Sequence, residues 1–287
     1  HDVRSFFFPS SPFPTVMESL ILERPSARAE LFLQGGHLAS YEVRGLPVLF
    51  LSKRAEFAPG KAIRGGIPVC FPWFGPHPTD PNLPAHGFAR TAHWQLIERG
   101  ADFAVLGLSS NVRTLAQWPH AFEVNYRIKL LETGLHLEFE VENTGARPFT
   151  FETALHSYFV VSDVKEAVVE GLDGKTYLDH VTGNDRKVQA GNVTFTGETD
   201  RLYVDAPGPV RLRDEFRTIR IINLEGWRST TVWNPWTEKA RALKDLGEDQ
   251  WPGFVCVEAG FAADDAVTLE PGDRYRLAVE IKVDEVP

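Results

Sequence analysis

The 287-residue chain contains two cysteines, one methionine and no long apolar run. Cys70 and Cys256 cannot by themselves build a disulfide framework or a four-ligand zinc site, so a reducing, cytoplasmic setting is expected. Apolar stretches such as 46–51 fall far short of the roughly 18–20 residues that a membrane-crossing helix needs. Blocks of like charge are missing as well. Thirty Lys and Arg are scattered among 39 Asp and Glu, giving a net charge of −9. This excludes a nucleic-acid surface and, taken alone, disfavours an anionic small-molecule substrate. Residues 1–16 lack the cationic flank and apolar block of a signal peptide, and Met17 is the only methionine. These residues are expected to be a tag remnant or a disordered segment, with 17–287 forming a single domain.

Helical periodicity is also scarce. Only 237–246 reads as a helix, following Pro235. A doubly wound α/β fold needs about as many helices as strands and is therefore disfavoured. Alternation is abundant instead. In Leu135-His136-Leu137-Glu138-Phe139-Glu140-Val141-Glu142 every odd position is apolar and every even one polar, and 275–283 repeats the pattern. Further short strand-like runs lie at 29–33, 46–51, 103–108, 122–131, 150–155, 164–170, 219–224 and 254–258, separated by Gly, Pro, Asn and Asp turns. The fold class expected is all-β: a large antiparallel sandwich with few short helices.

The familiar chemical motifs are missing. Gly174-Lys175-Thr176 suggests a phosphate loop, but position 169 is Val where glycine is required, so a strand-connecting turn is expected. HExxH, GxSxG and GxGxxG ahead of a helix do not occur. Two polar residues stand out within apolar strands. Glu258 interrupts Val255-Cys256-Val257, and His156 interrupts a run that continues to Tyr158 and Phe159. A buried carboxylate is costly unless paired or used, and a core histidine is often only hydrogen-bonded structure. Arg64 precedes Gly65-Gly66, and Arg90 follows His86-Gly87. Both arginines could clamp an anion or simply form surface ion pairs. Trp233 and Trp236 could pack on a sugar ring or fill core.

Six segments occur in an order that resembles the hexose-6-phosphate mutarotases, glucose-6-phosphate 1-epimerases of the aldose 1-epimerase superfamily. They are Arg64-Gly65-Gly66-Ile67-Pro68 with Phe71-Pro72-Trp73-Phe74-Gly75, His86-Gly87-Phe88-Ala89-Arg90, Leu155-His156-Ser157-Tyr158-Phe159, Gly197-Glu198-Thr199-Asp200, Val232-Trp233-Asn234-Pro235-Trp236 and Cys256-Val257-Glu258-Ala259-Gly260. The resemblance spans about residues 30 to 283. It implies a galactose-mutarotase-like sandwich and an isomerase that exchanges the α and β anomers of a hexose 6-phosphate. It assigns His156 as general acid, Glu258 as general base, Arg64 and Arg90 as phosphate ligands, and Asp200 and His86 as substrate-binding groups. Ala85 departs from the usual glutamine, which loses one polar contact.

One acid and one base suffice for ring opening and reclosure, so no metal or cofactor is expected. His156 is expected as a histidinium favoured by Glu258 and Asp200, with Glu258 ionised. A small sugar phosphate is the expected partner of a monomer that binds neither nucleic acid nor membrane. An epimerase of free aldoses, a non-catalytic carbohydrate-binding module and a glycoside hydrolase using Glu258 with Asp200 stand as alternatives.

Overall fold

The alternating run at 135–142 forms the strand Gly134–Asn143, in which Leu135, Leu137, Phe139 and Val141 are buried and the residues between them half-buried. Its neighbours complete an eight-stranded sheet in a computed structural model that describes residues 17–285. In spatial order the sheet runs Val168–Glu170, Val210–Arg213, Arg217–Glu225, Arg274–Glu285, Gly134–Asn143, Phe122–Leu130, Phe103–Ser109 and Gln95–Arg99, each neighbouring pair antiparallel. The expectation for residues 1–16 lies outside the described residues.

A second antiparallel sheet of eight strands carries the polar residues singled out above. Its order is Asp185–Val188, Thr176–Asp179, Thr199–Tyr203, Ser229–Asn234, Phe254–Phe261, Thr153–Leu155 and Val69–Cys70, with Tyr158–Val160 also paired to Phe254–Phe261. Phe254–Phe261 is buried at every position, which is why it reads as a continuous apolar run rather than an alternation. One face, with Phe261 against Phe151 and Tyr275, joins the interior of the sandwich. The other presents Phe254, Cys256 and Glu258. Phe71, just beyond the edge strand, packs edge-on against Phe122 and Phe139 of the first sheet and ties the layers together. One core of buried residues runs from Leu20 to Val283.

A four-stranded sheet of Ser19–Arg24, Ala27–Phe32, His37–Val43 and Leu46–Pro47 and a two-stranded pair of Phe149–Phe151 with Val267–Leu269 complete the β structure. The α-helices among the described residues are Val112–Gln117 and Trp236–Ala242. The sandwich agrees with the sequence, as does the turn at Gly174, which leads into the strand Thr176–Asp179.

Several boundaries differ from expectation for local reasons. The run 46–51 forms a strand only at Leu46–Pro47, since proline cannot donate to a ladder, and continues as single bridges from Leu49 and Leu51. The run 150–155 splits at Glu152, whose carboxylate accepts the Phe74 and Ala263 backbone N–H groups at 2.8 Å each. The helix expected at 237–246 stops at Ala242.

Candidate functional site

Directly opposed residues in antiparallel strands share a face, so the register of the second sheet lines up a row that joins two of the candidate residues. Asp200 pairs with Trp233, Trp233 with Cys256 and Cys256 with Tyr158. Glu258, two residues along from Cys256, lies on the same face opposite Thr231. His156 falls where Thr153–Leu155 breaks before Tyr158–Val160. There the Ser157 N–H folds back to the Leu155 carbonyl (2.8 Å) and the Val257 N–H reaches the Ser157 carbonyl (3.2 Å). This break sets the imidazole beside Glu258, with Nδ1 3.3 Å from Oε1. Tyr158 stacks on the imidazole at 4.9 Å, while Trp233 and His86 meet it edge-on at 5.8 and 5.7 Å. Trp233, buried and edge-on to the imidazole, therefore braces a histidine.

His156 is 7% exposed and Glu258 1% exposed. Burial, reinforced by Arg90 and Arg64, pushes the His156 imidazole down to about 3. Burial, reinforced by Asp200, raises the Glu258 carboxyl well above the usual range. The expected histidinium beside an ionised glutamate is thus reversed within the protein's own field, which favours a neutral imidazole facing a protonated carboxyl. The reason is desolvation, which outweighs the attraction between the charged forms. His156 Nδ1 and Glu258 Oε2 are both buried without a hydrogen-bond partner.

The two arginines differ. Arg64 is bidentate to Asp245 (3.1 and 3.2 Å) and donates from Nη1 to the Tyr158 hydroxyl at 3.1 Å. Arg90 donates from Nη2 to the Ala85 carbonyl at 2.7 Å, its Nε is buried without a partner, and it pairs with no carboxylate among the described residues. The Arg90 contact uses the Ala85 main chain and does not replace the polar side chain that glutamine would supply at this position. Asp200 bonds His180 Nδ1 through Oδ1 at 3.0 Å and lies 3.6 Å from Lys239, which also meets Glu198 at 3.0 Å. His86 accepts the Gly75 N–H at Nδ1 (3.2 Å), which puts its own proton on Nε2. Burial and Arg90 hold it neutral.

Sequence reasoning singled out His156, Glu258 and both arginines as candidates but passed over Asp245, His180 and Lys239. Asp245 and His180 sit outside the strand pattern, and their contacts span 181 and 20 residues.

Tight backbone holds this loop region. Gly87 has φ +73°, and a Cβ there would stand 1.9 Å from the Phe71 carbonyl oxygen. Gly87→Ala is expected to lower stability by at least about 1–3 kcal/mol, read as a fall in Tm.

Buried neutral histidines also predict a pH dependence. His37, pushed down to about 3 by burial and Arg90, joins His86 and His156. Each stabilises the fold above its ordinary value of 6.5 and loses that contribution as pH falls. Glu258 works in the opposite sense, since its raised pKa favours the fold below 4.5 and less so as pH rises. Between pH 6.5 and 4.5 three imidazole protons taken up by the unfolded chain outnumber the one that Glu258 retains. Stability should therefore decline with acidification, on the order of 1–3 kcal/mol per pH unit, in urea titrations across this window.

The sequence profile described as "Aldose 1-epimerase" matches residues 18–282. The chain belongs to the aldose 1-epimerase family. A relative from Cenchrus ciliaris, named as a candidate glucose-6-phosphate 1-epimerase, is 37% identical over 92% of this chain and 84% of its own length. One of the same name from Salmonella typhimurium is 35% identical over 86% of this chain and 84% of its own. The crystal structure of a candidate mutarotase, YeaD, from Salmonella typhimurium superposes with a TM-score of 0.84 at 33% identity, covering 94% of this chain and 91% of that one. In this aldose 1-epimerase family member, Asp200 and Glu258 share one sheet face, His156 stands at the strand break beside Glu258, Arg64 reaches the Tyr158 hydroxyl on that face, and His86 meets the imidazole from the 86–90 segment.

Proposed function

We propose that this protein interconverts the α and β anomers of a hexose 6-phosphate by acid–base ring opening and reclosure at His156 and Glu258. The observation that carries the proposal is the buried pair at 3.3 Å set beside Arg90, an arginine with no carboxylate partner among the described residues. The names of the relatives support the phosphorylated substrate.

Ring opening removes the proton from the C1 hydroxyl and delivers one to the ring oxygen. Rotation about C1–C2 and reclosure with the opposite transfers invert the anomeric centre. The pair holds one transferable proton, and either placement of it provides one acid and one base. Glu258 serves as base at the C1 hydroxyl and His156 as acid at the ring oxygen once the imidazole carries that proton. A phosphate dianion on Arg90, with Arg64 nearby, offsets the positive charges that depress His156 and so favours this placement. His86 offers its Nε2 proton to a sugar oxygen, and Asp200, oriented by His180, accepts from a hydroxyl. Neither step calls on a cofactor.

Exchange spectroscopy by NMR on glucose 6-phosphate, with comparison to free glucose, tests the proposal. Exchange no faster than in buffer would refute it. A second reading, action on unphosphorylated aldoses, draws on the commitment of Arg64 to Asp245, and the same comparison decides between the two. The proposal takes residues 17–287 as one unit, supported by the continuous core, and as a cytoplasmic monomer, for which gel filtration is the check.

A further inference from the structure

We propose that His156, Cys256 and Glu258 also form a site for a thiophilic divalent cation of the zinc class, and that its occupancy switches the acid–base pair off. Cys256 and Glu258 alternate along one strand and share a face, and His156 stands across from them at the strand break. Their ligating atoms, one nitrogen, one sulfur and one carboxylate oxygen, lie within 4.8 Å of one another. All three side chains are more than nine-tenths buried. Two of the donors, His156 Nδ1 and Glu258 Oε2, have no hydrogen-bond partner there.

The donor set selects the metal. Magnesium and calcium take oxygen ligands, whereas a thiolate, an imidazole and a carboxylate together suit zinc, with cobalt as its spectroscopic stand-in. Two ligands about 2.0–2.2 Å from a tetrahedral ion sit about 3.4 Å apart, close to the 3.3 Å between His156 and Glu258. Three protein ligands leave a fourth position open to water. Binding releases the Cys256 thiol proton and the one proton held by the His156–Glu258 pair to solvent, and involves no change of oxidation state. With His156 and Glu258 coordinated, neither can exchange a proton with a sugar. This inhibitory half rests on the proposed acid–base function, while the binding half does not.

Cobalt titration of the wild type is expected to produce a thiolate-to-metal charge-transfer band in the near ultraviolet that zinc displaces. Cys256→Ala should remove the band and weaken zinc binding by more than the roughly 10- to 100-fold that loss of an outer-shell partner costs in zinc sites. Cys70→Ala, at the other buried cysteine, should leave the band unchanged. In the anomer-exchange assay zinc should inhibit the wild type reversibly on chelation, and whatever exchange Cys256→Ala retains should be insensitive to the same zinc. No band in the wild type, or an equal band in Cys256→Ala, overturns the site. A band without inhibition overturns the switch. Absence of exchange in the metal-free wild type counts against the enzymatic reading alone, since the cobalt spectrum still decides the site.

Discussion

Glu258→Gln and His156→Asn are each expected to slow anomer exchange of glucose 6-phosphate by on the order of 10²–10⁴, the range that one positioned acid or base supplies. Glu258→Gln is isosteric and His156→Asn keeps a polar side chain of smaller volume, so the folded sheet should persist, which Tm checks. Glu258→Gln should not reduce stability near neutral pH, because it removes a carboxyl whose ionised form is penalised by burial. Activity and stability therefore separate, which distinguishes a catalytic group from a structural one. The double variant should be little slower than either single one, since an acid without its base has no productive step and residues that act as a unit are non-additive. Near-wild-type exchange in either folded variant, measured by NMR line shape or magnetisation transfer, would contradict the assignment.

The fold was legible because the strands of the first sheet obey period two. Leu135, Leu137, Phe139 and Val141 announce a face, and the sheet places them in the core. Glu258 was legible for the opposite reason, as a carboxylate in a run with no polar alternation. The charge state of the pair was not legible, since the resemblance pairs an acid with a base and so suggests attraction, while only three-dimensional burial reveals the desolvation that overrides it. The same holds for Arg64. Next to Gly65-Gly66 it looks equivalent to Arg90, yet Asp245, far along the chain, occupies two of its donors. The helix Val112–Gln117 shows a local signal passed over: Asn111 accepts from the Arg113 and Thr114 N–H groups while Thr114 bonds back to the Asn111 N–H, a capping box in a six-residue element too short to show periodicity.

Arg90→Ala should lower kcat/KM for glucose 6-phosphate by on the order of 10²–10⁴ while changing exchange of free glucose by much less. Two charge-assisted hydrogen bonds to a phosphate, at about 1.5–3 kcal/mol each, account for that range. Arg64→Ala should behave differently. Its guanidinium holds the Tyr158 hydroxyl, and Tyr158 stacks on His156 at 4.9 Å, so its loss disturbs the imidazole and slows both sugars. The contrast between the variants, more than either value, identifies Arg90 as the principal phosphate contact. Equal losses on both sugars in Arg90→Ala would make that arginine a scaffold residue and favour unphosphorylated aldoses as substrates. The net charge of −9 bears on the same measurement. A diffuse acidic surface repels a dianion only within about 8–10 Å at ordinary salt, so capture depends on contact with the unpaired guanidinium rather than on steering from afar. Raising the ionic strength should consequently leave the difference between wild type and Arg90→Ala largely in place, as expected of a contact in a part-buried pocket that salt screens less than it screens the open surface.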